Sequence, residues 1–428
     1  MTVAGPDGLN KPPRLRRQIV EAVLVNVFIA GAGLITGVLQ SRALGPTGRG
    51  ELAAIQLWAG IFCTFGPLGL YDAVIFHGSK SPTLLGQYAV TAACIIYVSA
   101  ALLVSIGWVA LPSLLHAQSS ETIADARLYL LLVFSLATLS LSTSIARALQ
   151  RTRLWNALRL LPTLIWLAVV SVGIGLGTPS PSGLAHTYLG ILSVVSIVAL
   201  FSVRLPLKNG FPPVRNHVRP LLMFGLPLAV SSLSLLANQR IDQVLLAGSL
   251  SAEQLGYYVV SLAFTGLALL PTVVVSLVAF PRIASLDSLQ AQSALTAALV
   301  AKTGLTVTAL AVFLGLSVER VLPLLFGPGF EPAVVASKLL LFGVPFRGVA
   351  QVLHGAAKGM GFPSLVLFSE LAGLVLAGGS LFLLLPEYGL YGVAIATSLS
   401  SVVTCAVSLL LTIARVRSEL PQDDSPTK

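Results

Sequence analysis

The chain has 428 residues, 55% of them hydrophobic and only 10% charged, with a mean hydropathy of +0.90 and a net charge of +10. That composition belongs to a protein that crosses a membrane many times, and it leaves no length for a catalytic domain in water. The basic excess has a topological use, so nucleic acid is not needed as a partner to explain it.

The first apolar stretch, 18–43, follows Arg14, Arg16 and Arg17 and shows no small-residue cleavage site, so it reads as an uncleaved span. Further spans are predicted at 50–70, 87–112, 128–148, 160–177 and 183–204. A basic, proline-containing link (205–220, LPLKNGFPPVRNHVRP) precedes spans at 221–248, 254–280, 294–317, 334–355, 364–385 and 389–414. Runs such as LLPTVVVSLVAF are apolar all round, which suits helices and not the alternating strands of a barrel. The expected fold is an all-α integral membrane protein with about twelve transmembrane helices in two parallel six-helix lobes around a central cavity. The lobes are 1–204 and 221–414, and a polar tail, 415–428, reads as disordered from Ser418.

Of the 26 Lys and Arg residues, eighteen, from Lys11 and Arg14 through Arg204 and Lys208 to Arg417 and Lys428, fall on the side of the termini. Arg42, Arg49, Arg127, Arg320 and Lys338 fall on the other side, and Arg240, Lys302 and Arg347 within spans. The positive-inside rule then puts both termini in the cytoplasm, with anionic lipid headgroups held weakly by the basic loops. Cys63, Cys94 and Cys405 sit inside spans, where cysteine acts as a small hydrophobe, so no disulfide, metal or redox role is assigned.

The two halves resemble each other. LPSLLHAQSSETIADARLYLLLVF from Leu111 aligns with LPLLFGPGFEPAVVASKLLLFGV from Leu322, and GLAHTYLGILSVVSIVALFSVRL from Gly183 with GLYGVAIATSLSSVVTCAVSLLL from Gly389. GRGELAAIQLWAGIF from Gly48 sits likewise against EQLGYYVVSLAFTGL from Glu253. Three matches in one order define a six-span unit used twice, and an even number of spans makes the repeat parallel.

Ionisable side chains at membrane depth cost about 2.5 to 3.5 kcal/mol each on insertion scales and need a reason to be there. In the seventh span Ser231, Ser234, Asn238 and Asp242 share one face, while Arg240 lies on another. The stripe either lines a cavity or glues helices together. In the first span Asn26, Gly33, Gly37 and Ser41 form a matching stripe ending near Arg42. The glycine pair there reads as close helix packing, and Arg42 either snorkels to the interface or binds substrate. Glu21, Lys302, Arg347 and Glu370 would make a polar vestibule if they converge. Glu21 and Lys302 read as snorkelling, whereas Arg347 and Glu370 are either an ion pair or site residues.

The cluster Arg147, Arg151, Arg153 and Arg159 reads first as topological charge and second as capture of a phosphate headgroup, which the guanidinium fork suits. The histidines are scattered without metal-ligand spacing, and only His354 is placed to enter a cavity. Pro227, Pro271 and Pro345 fall inside spans, where they bend helices. No nucleotide-binding loop, zinc-protease motif or nucleophile elbow is present, so direct ATP-driven pumping and enzymatic chemistry are not expected.

SRALGPTGRGELAAIQLW (41–58) and the run from Arg240 to Leu286 resemble oligosaccharide-lipid flippases, the polysaccharide-exporter branch of the multidrug/oligosaccharidyl-lipid/polysaccharide exporter superfamily. The resemblance implies movement of a polyprenyl-diphosphate-linked oligosaccharide between the leaflets of a bacterial inner membrane, with glycan-assembly proteins as possible partners and no cofactor. It also implies a cationic cavity, for which Arg42, Arg240, Asn238 and Arg347 are the substrate-binding candidates. Asp242 and Glu370 are the candidates for ion coupling, which would mark a cation-coupled small-molecule antiporter of the same superfamily. A lipid-linked sugar polymerase would need a catalytic outer loop, and the links at 113–127 and 318–333 are too short; a transport-inactive assembly partner would look the same in sequence.

Overall fold

A computed structural model of the chain describes residues 13–177, 179–203 and 215–419. Lys11, Arg204, Lys208, Lys428, residues 205–214 of the link and residues 420–428 of the tail lie outside the described residues. Ten continuous segments are long and apolar enough to cross a membrane. Two are interrupted: Pro13–Phe65 breaks at Gly45 (φ 66°) and Ser364–Glu419 at Gly389 (φ 53°). Glycine tolerates that left-handed geometry, and Pro46 directly after Gly45 cannot continue a helix from before it.

Twelve spans result. The first is 13–44; the second runs from 46 to Phe65 and, after a bend, through Leu70–Lys80. Leu85–Leu114 is the third, Ser120–Tyr129 with Leu132–Ala148 the fourth, Thr152–Gly175 the fifth and Pro181–Ser202 the sixth. The second lobe follows with Arg215–Ser249 and then Ala252–Gly266 continued by Leu270–Ala284. Leu289–Phe326, Ala333–Gly359, 364–388 and 390–419 complete it. The polypeptide is a multi-pass integral membrane protein. We call the side holding residues 13 and 419 the terminal face.

Serines start several of these helices by accepting a backbone N–H that no turn can satisfy: Ser119 from Thr122 (3.1 Å), Ser180 from Gly183 (3.0 Å) and Ser288 from Ala291 (3.2 Å). Large apolar side chains such as Val109, Leu316 and Phe382 are exposed, as lipid-facing residues should be. Inside, hydroxyls return to their own helices, as Ser142 does to the Thr138 carbonyl (2.8 Å), or cross between helices, as Tyr97 does to Thr138 (2.6 Å) and Ser135 to Ser193 (2.7 Å).

The second span of each lobe is bent midway, at Gly66–Gly69 in one and at the 3₁₀ turn Leu267–Leu269 before Pro271 in the other. This shared irregularity is structural support for the repeat. The first bend carries the second span on to Lys80, ten residues past its predicted end at 70. Gly-Pro-Leu-Gly (66–69) breaks the helix without ending the crossing. At the other end, the twelfth helix continues through Ser418 to Glu419, so the tail begins later than its composition indicates.

Close helix crossings fall elsewhere than expected. Nothing lies within 4 Å of a Cβ placed on Gly33 or Gly37, so this pair does not pack a helix. Tight backbone approaches occur between lobes: a Cβ on Gly50 would strike the Ala252 carbonyl, one on Gly256 the Pro46 carbonyl, and one on Gly225 the Leu68 carbonyl. Gly50→Val or Gly256→Val is therefore expected to destabilise the protein by about 1–3 kcal/mol through overpacking. Gly60→Ala, which meets open space, should be neutral. Thermal unfolding of the purified protein in detergent checks this, and equal loss in all three variants would show that the crossing does not govern stability.

Candidate functional site

The polar stripe of the seventh span faces into the second lobe. Ser234 and Asp242 are buried, and Asn238 lies between them; the Ser231 side chain lies outside the described residues. Asn238 donates from Nδ2 to Glu370 Oε2 (2.5 Å), and Ser400 Oγ lies 3.2 Å from its Oδ1 and 2.8 Å from the Gly373 carbonyl. The other Glu370 oxygen is 3.4 Å from His354 Nδ1, whose ring turns Nε2 to Ser369 (3.1 Å) and Ser408 (2.9 Å). Gly373 makes this possible, because a Cβ there would overlap the Thr404 hydroxyl and hold the eleventh helix away from the twelfth. Further toward the opposite face, Asp242 accepts from the Tyr258 hydroxyl and from Thr397 (3.5 Å).

Two adjoining cavities, of about 70 and 290 Å³, run along this column. Arg347 lines both, with Asp242, while Arg240 lines the larger and donates to Gln243 (2.7 Å) on its own helix. The Arg347 guanidinium has no hydrogen-bond or ion-pair partner among the described residues; Glu370 instead takes Asn238 and His354. Of the alternatives left by the sequence, the Arg347–Glu370 ion pair is not formed, and both residues line the cavity. Buried carboxyls are stable only with hydrogen-bond partners, and four helices contribute these.

Arg42 is placed differently. It spans from the first helix to the end of the ninth, donating Nε to the Leu325 carbonyl (2.8 Å) and Nη2 to that of Leu324. Gln118 makes a second bridge on the same side, from Nε2 to the carbonyls of Ala247 (2.8 Å) and Leu250 (2.9 Å). Both tie lobe to lobe on the face opposite the termini. Arg42 thus occupies carbonyls that a helix end leaves unpaired and lines none of the cavities described here. Lys302 is exposed on the ninth helix and does not join Arg347 and Glu370, so the four-residue vestibule is not assembled.

The first lobe holds a larger cavity, about 680 Å³, lined by Asn26, Asp72, Arg147, Trp155 and Arg159 among others. Arg159 donates to Asn26 Oδ1 (2.6 Å), and both guanidinium groups lie near the Trp155 ring, 4.6 Å from its centroid for Arg159 and 5.2 Å for Arg147. Arg151 is spent on the Val203 carbonyl (2.7 Å), closing the lobe at its terminal face, and Arg153 is exposed. Asn26 and Asn238 are 212 positions apart, Arg159 and Glu370 211, Arg147 and Lys358 211, so the two cavities are counterparts in the repeat. Equivalent asparagines hold a guanidinium in one lobe and a carboxyl in the other.

A family model described as "Polysaccharide biosynthesis protein" matches residues 15–287. The chain belongs to this family. Among solved structures, an inward-facing multidrug resistance transporter of the MATE family, MOP superfamily, aligns with a TM-score of 0.78 at 15% identity, covering 94% of this chain and 98% of that one. The lipid II flippase MurJ in an inward closed conformation aligns at 0.76 and 15%, over 96% and 94%. A MOP superfamily transporter from Pyrococcus furiosus, whose reported binding pocket has reversed polarity, aligns at 0.64 and 16%, over 95% of each chain. No curated protein matches in sequence. This polysaccharide biosynthesis family member therefore has the fold of MOP superfamily transporters, as the resemblance of residues 41–58 and of the run from Arg240 to Leu286 implied.

Of the residues singled out in the sequence, Asn238, Asp242, Arg347 and Glu370 line the smaller cavity, and Arg240 lines the adjoining one with Asp242 and Arg347. Sequence reasoning undervalued His354, Tyr258 and Arg159, whose partners lie on other helices. The signal for Arg159 was available in the matched spacing of Asn26 with Asn238. Loss of the Arg42 bridge in Arg42→Ala is expected to loosen the seam between the lobes. A cysteine at Gln243 should then react several times faster with a membrane-impermeant maleimide added on the Arg42 side, and an unchanged rate would show that the seam does not depend on this arginine.

Proposed function

We propose that the protein is a flippase that moves a polyprenyl-diphosphate-linked oligosaccharide from the inner to the outer leaflet of a bacterial inner membrane by alternating access, with both termini cytoplasmic. The single observation that carries this reading is Arg347, a guanidinium inside the membrane with five N–H donors and no protein acceptor among the described residues, lining two cavities in a polysaccharide biosynthesis family fold. Asp242 and Glu370 offset part of its charge from the same cavities but take none of its N–H donors, and a guanidinium fork left unspent matches phosphate oxygens. Arg240 at the rim and the Asn238 amide extend the same surface toward sugar hydroxyls. Glycan-assembly proteins are the expected neighbours in the membrane.

A diphosphate diester carries about two negative charges, and a membrane potential negative inside favours outward movement of each by about 2.3 kcal/mol per 100 mV. The potential can therefore drive export, with Asp242 and Glu370 as accessory sites for a proton or sodium ion. Thr404 Oγ1, buried beside Glu370 without a partner among the described residues, is a further oxygen for such an ion. These same carboxyls support the second reading, a cation-coupled antiporter for small molecules.

In cells whose surface glycan depends on this protein, Arg347→Ala is expected to abolish export while the protein still inserts, and Arg347→Lys to keep part of it, because charge survives without the planar fork. Normal export by Arg347→Ala would remove the assignment. In proteoliposomes, an imposed potential alone should drive flipping. Flipping driven only by a pH or sodium gradient, and lost in Asp242→Asn, would support the coupled mechanism over the potential-driven one; extrusion of small organic cations without lipid flipping would favour the antiporter.

A further inference from the structure

We infer that the cavity of the first lobe is an anion site that receives the diphosphate of the lipid-linked substrate from the leaflet on the terminal face, before the substrate reaches Arg240 and Arg347; this rests on the flippase reading above. Arg147 ends the fourth span and Arg159 lies two turns into the fifth, so both reach the cavity from the terminal face. Trp155 fixes both guanidinium groups through its ring face, which consumes none of their N–H donors. Arg159 spends one donor on Asn26, and Arg147 has no hydrogen-bond acceptor among the described residues. The pair thus offers oriented, unspent donors on two forks, which is what a ligand with oxygens on two phosphorus atoms requires.

The surroundings agree. At about 680 Å³ the cavity is of ligand size, and Leu136, Leu139 and Leu158 give it an apolar wall against which the first isoprene units can lie. Asp72, exposed on the second span, is the only acid in its lining among the described residues, so the two arginines leave that lining net positive. The repeat supplies an independent argument: the counterpart cavity keeps the asparagine but replaces Arg159 by Glu370, and Thr143 by His354. At the paired position a guanidinium stands where the second lobe has a carboxyl, which suits the first cavity to an anion.

The test is binding of undecaprenyl diphosphate, without sugars, to the full-length protein in nanodiscs by native mass spectrometry, with phosphatidylglycerol and inorganic diphosphate as competitors. Arg147→Gln with Arg159→Gln should weaken binding by tenfold or more, about the loss of one charged hydrogen bond per arginine. Asp72→Asn, an exposed change with little folding risk, should tighten binding several-fold, and Arg320→Gln on the opposite face should change nothing. Phosphatidylglycerol should compete poorly, and inorganic diphosphate measurably. Wild-type affinity in the double variant together with unchanged affinity in Asp72→Asn would overturn the site while leaving the flippase reading intact. Equal competition by phosphatidylglycerol would make it a resident-lipid site instead. Absence of any binding by the wild type would count against the flippase reading as well.

Discussion

Hydrocarbon offers no hydrogen bonds, and nearly every feature of this molecule follows from that. Backbone groups must be satisfied within each span, so the chain is helical throughout its membrane segments and breaks only where glycine, proline or a 3₁₀ turn lets the ladder restart. Polar side chains obey the same rule. Those of the seventh, tenth, eleventh and twelfth helices turn away from lipid and satisfy one another, which concentrates Asn238, Asp242, His354 and Glu370 in one column. The column exists because each of these groups is costly alone and stable together. Arg347 stands beside this column with its N–H donors uncommitted among the described residues, the feature on which the flippase reading rests.

Duplication supplies the second organising constraint. Two copies of a six-span unit inherit the same bends, the same glycine crossings and the same asparagine in the first span of each unit. An amide is both donor and acceptor, so Asn26 can hold the Arg159 guanidinium and Asn238 the Glu370 carboxyl with almost identical geometry, at 2.6 and 2.5 Å. A single exchange of charge at the paired position changes what the asparagine holds without changing the fold. The lobes pack on each other chiefly through the second span against the eighth, where Gly50 and Gly256 let the backbones meet. Carbonyls of the ninth and seventh helices meet Arg42 and Gln118 on one face, and Phe76 stacks on Phe224 (ring centroids 4.4 Å apart) on the other, so two stiff bodies meet at seams.

Legibility in the sequence divided along the same lines. Span number, the parallel repeat and the shared face of Ser234, Asn238 and Asp242 could be read because hydropathy and helical spacing are properties of one segment at a time. Partners could not. Gly33 and Gly37 have the spacing of a packing pair, yet they face open space, and the crossings fall at Gly50 and Gly256, which carry no such pattern. Arg42 has the position of a site residue and is instead fastened to carbonyls nearly three hundred positions away, a contact no periodicity encodes. Arg147 and Arg159 were ambiguous because the positive-inside rule already explains arginine at span ends; only the cavity and the shared indole separate them from Arg151, which is spent on the Val203 carbonyl at the end of the sixth span.

The exchange of charge at the paired position bears on energy conversion. Arginines fixed to the protein rock with their lobe and recross with it on return, so over a full cycle they carry no net charge through the membrane. The charge that crosses is that of the guest: the diphosphate outward in the proposed cycle, together with any cation released inward from Asp242 or Glu370. With both ions bound, fixed arginines and carboxyls lower the cost of bringing charge to membrane depth, because each guest finds a partner of opposite sign in place of water. Outward movement of an anion and inward movement of a cation are favoured by the same potential, so their contributions add. Arginines in both lobes without the two carboxyls would forgo that addition, which gives the carboxyls of the second lobe a physical rationale within the flippase reading.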